Sequence, residues 1–379
     1  MKKIAIVHDW LVNYGGAERV VEQLLQIYPE AEIFTLVYDE KKMGKIFPKD
    51  IVHTSFVQNF PFATKLYTKY LRFMPKAFES FDFSNYKLVI CSSSSCAKGV
   101  ITAPLTPHIA YIHTPMRYAW DQYFQYKNRS SFLTRFFMSL WMGRIRLWDY
   151  VSSQRIDGII ANSNYIARRI KKYWNRESTV VYPPVDVKNL QPNGKDPEDF
   201  FVVFSRFVPY KRIDLAIQAC GNLKKNLVVI GSGSQKKELK KLAAKYKDVK
   251  ITFTGRLRDD EVRDYLQRCR ALIFCAEEDF GIIPVEAQAC GRPVIAFGKG
   301  GALETVINGK TGTFFSHATP DSVERAINRF EELEASGAFD TNFIANHAKN
   351  FSRERFAREI KECIDNTIIR MDEETSSKK

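Results

Sequence analysis

The 379-residue sequence contains no run of about 18 consecutive apolar residues, so a membrane-spanning helix is not expected. The apolar stretch after Met1-Lys2-Lys3 stops at His8-Asp9, too soon for the apolar region of a signal peptide. It reads instead as a first strand, in a cytoplasmic chain. The seven cysteines include no CxxC pair, and Cys91 and Cys96, the closest two, have no nearby histidines to complete a metal-ligand pattern. Reduced, mostly buried thiols are expected, and no metal site. Gly15-Gly16 is not a GxGxxG fingerprint, which disfavours a dinucleotide site. No strong internal repeat or low-complexity tract appears. No nucleic-acid motif accompanies the basic charge, so no nucleic-acid partner is expected.

What is present is a 45% apolar, 26% charged composition, that of a soluble globular chain long enough for two domains. Net charge is +14 and uneven. Residues 1–183 hold 25 Lys and Arg against 14 Asp and Glu; residues 184–379 hold 32 against 29. A basic front half attracts phosphates, whether of a diphosphate substrate or an anionic lipid surface.

Short apolar runs alternate with amphipathic helical patterns, the signature of parallel α/β structure. Strands are predicted at 3–8, 32–37, 87–91, 108–112 and 157–161, then at 200–205, 227–230, 250–254, 271–275 and 293–296. Helices are predicted at 211–223, 234–247, 259–269 and 320–333. The Pro- and Gly-punctuated segment 183–199 predicts a linker. The fold expected is two Rossmann-like domains facing across a cleft: 1–183, 184–352, and a piece 353–379. In that last piece a helix over about 353–371 is expected to return to the first domain, and the tail from Glu373 to be disordered.

The strongest chemical signal is Glu278-Asp-Phe280-Gly281-Ile282-Ile-Pro-Val-Glu286, after the strand at 271–275. Pro284 suits the first turn of a helix, and Glu286 is expected within that turn. Free N–H groups at a helix start suit a diphosphate, and carboxylates suit sugar hydroxyl pairs. Spacing alone also admits an acidic loop before an ordinary helix, or a glycosidase carboxylate pair. Arg206 and Lys211 add two cations near another helix start, where either alone is equally a solvated helix end. His113 ends a strand, a position open to structural and functional readings alike. Gly15 and Gly16 follow the first strand, where backbone can approach a phosphate or sugar. Asp9 is a further acceptor-site candidate.

Taken together these segments resemble the family-4 retaining glycosyltransferases of the GT-B fold. Ser205-Arg206-Phe-Val-Pro-Tyr-Lys211-Arg-Ile-Asp214 is similar to that family's Gly-Arg-x-x-x-x-Lys-Gly-x-Asp segment, departing from it at Ser205 and Arg212. Ile230-Gly231-Ser-Gly233, Phe253-Thr-Gly-Arg256 and Gly300-Gly-Ala-Leu-Glu304 are similar to its second-domain loops. Gly15-Gly16-Ala-Glu18-Arg19, Tyr111-Ile-His113-Thr-Pro115, Asn162-Ser163 and Tyr182-Pro-Pro-Val-Asp186 correspond in the first half. The resemblance implies a nucleotide-sugar donor bound mainly by the second domain, through Gly231, Arg256, Phe280, Gly281, Ile282 and Glu286 with Arg206, Lys211 and Glu278. Gly15, Gly16 and His113 join from the first domain, which binds the acceptor. His113 would touch the donor sugar. No protein nucleophile is implied; front-face substitution is the expected course, with no cofactor and no metal.

His8-Asp9-Trp10-Leu11 and the segment from Tyr111 to Asp121 are similar to bacterial O-antigen and capsule mannosyltransferases. That implies GDP-mannose as donor, and a lipid-linked saccharide or glycolipid as acceptor in surface-polysaccharide assembly. A UDP-sugar donor and a sugar-nucleotide epimerase or binding protein of the same fold remain alternatives. A phosphorylase of this layout would need a pyridoxal-phosphate lysine, and none is identifiable. Two stretches interleave aromatics with cations: 56–81 (Phe60, Phe62, Lys65, Tyr67, Lys69, Tyr70, Arg72, Phe73, Lys76) and 117–155 (Phe132, Arg135, Phe136, Phe137, Trp141, Arg144, Arg146, Trp148). They suit peripheral binding at the inner face of the plasma membrane, or a core with a solvated basic face.

Overall fold

A computed structural model describes residues 3–377 apart from the side chains of Arg129, Leu133 and Phe137, so the expectation for Phe137 lies outside the described residues. The chain divides into two compact units, Met1–Pro184 with Phe356–Lys379, and Val185–Arg355. The expected boundaries stood at 183/184 and 352/353.

The first unit is built on seven parallel strands: β1 (Lys3–His8), β2 (Glu32–Thr35), β3 (Val52–Thr54), β4 (Tyr86–Ser93), β5 (His108–Ile112), β6 (Gly158–Ala161) and β7 (Thr179–Val180). Their order is β3-β2-β1-β4-β5-β6-β7. The second has six: β8 (Phe201–Phe204), β9 (Leu227–Ile230), β10 (Ile251–Gly255), β11 (Leu272–Phe274), β12 (Val294–Phe297) and β13 (Gly312–Phe315), ordered β10-β9-β8-β11-β12-β13. Each order reverses once, between β1 and β4 and between β8 and β11. Open α/β sheets bind ligands at the carboxyl ends of strands beside such a reversal.

The apolar runs are continuous because both faces of each sheet are covered. In β1, Ala5 and Val7 enter one cluster while Ile4 and Ile6 enter another on the opposite face. In β8, Phe201 and Val203 face one cluster and Val202 the other. β3, β7 and β13 were not expected. The first two are edge strands of two or three residues, and β13 begins at a glycine inside a polar turn.

The final helix runs Arg353–Ser376, so the expected disorder from Glu373 is corrected; Lys378 and Lys379 lie outside the described residues. Its last turns hold their own hydroxyls against the backbone, Thr375 to Met371 and Ser376 to Asp372. Phe356, Ile360 and Ile364, one turn apart, are fully buried in the cluster under β1, β4 and β5. Each such side chain contributes about 1.5–3 kcal/mol. All seven cysteines are free.

A buried charge pair anchors the first unit. Lys98, in the turn after β4, is 1% exposed. Its Nζ lies 2.9 Å from the Asp149 carboxylate and donates to Ser152 Oγ at 2.8 Å. It also sits 4.9 Å from the ring centres of both Trp148 and Trp174. The indole N–H groups of Trp120 and Trp174 donate to the other Asp149 oxygen at 2.7 and 2.8 Å.

The two basic-aromatic stretches differ. In 56–81 most aromatics, among them Phe60, Tyr67, Tyr70 and Phe73, pack on the core and the cations face outward. In the helix Phe132–Ser153, Met142, Ile145 and Asp149 face inward, while Phe132, Phe136, Leu140 and Leu147 project from the opposite side, with Leu140 60% and Leu147 65% exposed.

Candidate functional site

In the second unit the strand reversal gathers the expected donor residues. The chain leaves β8 at Ser205-Arg206, makes a single turn at Pro209–Lys211, and enters the helix Ile213–Asn222. The chain leaving β11 reaches Glu278 and then the helix Ile282–Ala289. Lys211 Nζ is paired directly with Glu278 Oε1 across the reversal, the two side chains 10% and 20% exposed. Arg206 lies exposed beside them and donates to the Tyr210 hydroxyl at 3.3 Å. Arg212 faces elsewhere, paired with Asp214 at 3.0 Å.

Glycines let two loops close on the segments that carry this pair. Gly231 has φ of +131°, and a Cβ there would stand 1.9 Å from the Ser205 carbonyl oxygen. Gly300, at φ of +68°, runs against Glu278, where a Cβ would stand 2.2 Å from its carbonyl oxygen. The Gly301 N–H donates to that same carbonyl at 2.8 Å. Any side chain at either glycine displaces backbone that carries Arg206 or Glu278.

Gly281, left-handed at φ of +88°, caps the helix Ile282–Ala289, with Phe280 buried just before it and Ile282 half-buried just after. Glu286 is the fifth residue of that helix, so it sits in the second turn and is buried, not in the first turn as expected. The helix starts at Ile282, two residues ahead of Pro284, which accounts for the shift. Arg256 follows β10 and is exposed.

In the first unit, Gly15 caps and Gly16 opens the helix Gly16–Ile27. His8 ends β1, its sheet partner Ser92 lies on β4, and His113 follows β5, its N–H bonded to the Ser93 carbonyl at 2.9 Å. Ser92 Oγ is 2.8 Å from His113 Nε2 and 3.2 Å from His8 Nδ1. His8 Nε2 is 3.4 Å from Glu18 Oε1. Burial and the charge of His8 push the His113 pKa down to about 3. For His8, burial disfavours the charged ring, but the Glu18 contact and the charges of Glu18 and Asp9 outweigh it and raise the pKa.

Asp9, expected as an acceptor contact, is 1% exposed. Its carboxylate accepts from the backbone N–H groups of Ser94, Ser95 and Ala97 at 2.6, 2.9 and 2.8 Å and from the Ser94 hydroxyl at 3.1 Å. It ties down the loop after β4.

These two sheets and their loops match known proteins over nearly the whole chain. Residues 14–189 match the family profile described as Glycosyltransferase Family 4, and residues 187–371 match that of Glycosyl transferases group 1. The chain is a glycosyltransferase with the GT-B fold. It is 31% identical over 172 residues to an uncharacterized glycosyltransferase of Methanocaldococcus jannaschii, a match covering 45% of this chain and 48% of that protein. With the alpha-1,3/1,6-mannosyltransferase ALG2 of Saccharomyces cerevisiae it shares 25% identity over 97% of this chain and 85% of the relative. The chain thus spans about half the length of the archaeal relative and most of the yeast one. In fold it is similar to Anabaena HepE, solved in complex with UDP, at a TM-score of 0.72 and 18% identity, covering 96% of this chain and 100% of the other.

The transferase carries one group that sequence reasoning passed over. Ser92 is the first of four consecutive serines, and nothing in the run distinguishes it. Only the register of β4 against β1 and β5 sets its hydroxyl between two imidazoles. Among the described residues of the transferase, no cluster of His, Cys, Asp and Glu could hold a metal ion. No described helix is long and apolar enough to cross a membrane.

Proposed function

We propose that the chain is a retaining hexosyltransferase that moves mannose from GDP-mannose to a lipid-linked saccharide or glycolipid in surface-polysaccharide assembly, without metal or cofactor. The observation that carries this reading is the Lys211–Glu278 pair at the strand reversal of the second sheet. The second unit binds the donor and the first the acceptor. Glu278 accepts from sugar hydroxyls, Glu286 from the ribose, and Lys211, Arg206 and the N–H groups at Ile282 receive the diphosphate. The bond from the sugar C1 to the phosphate oxygen breaks while C1 bonds the acceptor oxygen on the same face. The acceptor's proton passes to the departing phosphate oxygen. Negative charge grows on that diphosphate, and fixed cations and N–H donors stabilise it. Mannose as the sugar is favoured by the name of the yeast relative.

A panel of GDP, GDP-mannose, UDP, UDP-glucose and ADP, each with and without a chelator, tests it. Near a hundredfold excess over Kd, the guanine ligands are expected to stabilise the chain by about 2.7 kcal/mol, unchanged by chelation. A response to UDP species alone moves the donor to a UDP-sugar, the alternative that the UDP bound to HepE favours. No response to any nucleotide sinks the transferase mechanism.

The acceptor's lipid places the protein at a membrane, and the helix Phe132–Ser153 fits an anionic surface. Its outward face presents Phe132, Phe136, Leu140 and Leu147, with Arg144 exposed among them. Each well-placed cation contributes about 1 kcal/mol there. Phosphatidylglycerol vesicles are expected to sediment the protein, phosphatidylcholine vesicles not, and Leu140→Ser with Leu147→Ser to abolish the effect. Equal sedimentation by both vesicles would remove the electrostatic part of the reading.

A further inference from the structure

The carboxyl ends of β1, β4 and β5 hold a hydrogen-bonded row whose protons can be assigned from chemistry. His8 Nδ1 lies 3.0 Å from the Ser92 carbonyl oxygen, which can only accept. That nitrogen therefore carries hydrogen. His8 Nε2 faces the Glu18 carboxylate at 3.4 Å, also an acceptor. His8 thus carries both protons, a cation buried at 2% exposure and balanced by the Glu18 carboxylate, itself 7% exposed.

The shared His8 Nδ1–H also reaches Ser92 Oγ at 3.2 Å, engaging a lone pair of that oxygen. The hydroxyl hydrogen is then directed to the remaining neighbour, His113 Nε2, at 2.8 Å. An imidazole nitrogen that accepts leaves the ring's proton on the other nitrogen. The His113 main chain is held independently: its N–H donates to the Ser93 carbonyl at 2.9 Å and its carbonyl accepts from Asn162 Nδ2 at 3.0 Å. The Tyr111 ring stands edge-on to it at 5.2 Å. The charged groups bearing on the row are Glu18 from the helix Gly16–Ile27, and Asp9 just past β1, whose carboxylate is committed to the loop after β4. The neighbouring His8 cation also disfavours a second proton on His113.

We propose that Glu18, His8 and Ser92 are positioning residues that lock His113 as the neutral tautomer protonated at Nδ1, so that it offers a hydrogen-bond donor, not an acid, to a hydroxyl of the transferred sugar. The ligand in this statement rests on the proposed transfer reaction; the tautomer does not. A row of this kind sets the ring before substrate arrives, so no reorganisation accompanies the reaction.

Nitrogen-15 NMR of the full chain labelled at its six histidines tests the lock, with His113 assigned by its loss in His113→Gln. The expected wild-type result is a neutral Nδ1–H ring at position 113 that does not titrate between about pH 5.5 and 8, beside a His8 ring charged at the acid end of that range. Ser92→Ala is expected to mix the His113 tautomers and lower kcat for sugar transfer about tenfold, the scale of one directed hydrogen bond. Its affinity for the nucleoside diphosphate alone stays unchanged, and Ser92→Thr restores both tautomer and kcat. A wild-type His113 protonated at Nε2, or titrating within the range, overturns the proposal. So does a folded Ser92→Ala whose His113 keeps the wild-type tautomer. The wild-type spectrum decides even if the alanine variant fails to fold. Absence of transfer with every donor, with the tautomer as expected, counts against the reaction and not against the lock.

Discussion

Glu278→Gln and Lys211→Met are each expected to lower the turnover number about a hundred- to a thousandfold at saturating donor, the loss typical when one fixed stabiliser of developing charge is removed. The two side chains form one ion pair, yet the variants should differ in what they lose. Lys211→Met removes a cation that the departing diphosphate needs, so affinity for the free nucleoside diphosphate should fall with turnover. Glu278→Gln keeps Lys211 and the diphosphate contacts but weakens acceptance of sugar hydroxyls. Nucleoside diphosphate affinity should hold while affinity for the intact sugar nucleotide falls. Rapid-quench turnover and calorimetric binding of the diphosphate check both. Turnover within threefold of wild type in both variants would remove this pair from the mechanism.

Lys98→Met is expected to cost the first unit about 3–5 kcal/mol, because it leaves the Asp149 carboxylate charged in the interior. The two indole donors to the other oxygen of Asp149 soften the loss without cancelling it, since neither carries charge. Lys98→Met combined with Asp149→Asn should recover part of the stability, as the stranded charge is then gone. All five tryptophans, at 10, 120, 141, 148 and 174, fall in the first unit. Tryptophan fluorescence during urea unfolding therefore reports that unit separately, which a two-unit chain requires. A loss below about 1 kcal/mol would mean that the interior tolerates the lone carboxylate and that the ring contacts carry the site.

How much of this was legible beforehand varies with what each residue touches. β1, β5 and β9 were readable to the residue because a strand covered on both faces must be apolar throughout. β7, two residues long at the sheet edge, carries no such demand, and Thr179-Val180 resembles many loops. The polar residues Glu373–Ser376 suggested a frayed tail, yet side-chain hydroxyls bonded one turn back accompany regular helix there. Glu278 and Lys211 were singled out by their surrounding motifs. Their direct pairing was not, because 67 positions separate them and only the β8–β11 reversal joins them. The commitment of Asp9 was hidden for a related reason: a carboxylate at a strand end looks available until the loop that engages its lone pairs is in place. Ser92 was invisible for want of any local feature.

The return of the last helix makes the first unit discontinuous in the chain. As the protein emerges during synthesis, the strands and helices of residues 3–184 are complete long before Phe356, Ile360 and Ile364 exist. Until then the face formed by Ile6, Ile90, Ile109 and Tyr111 lacks its cover, and the whole of Val185–Arg355 must be made while it waits. The N-terminal half is therefore the first to be born and the last to be finished.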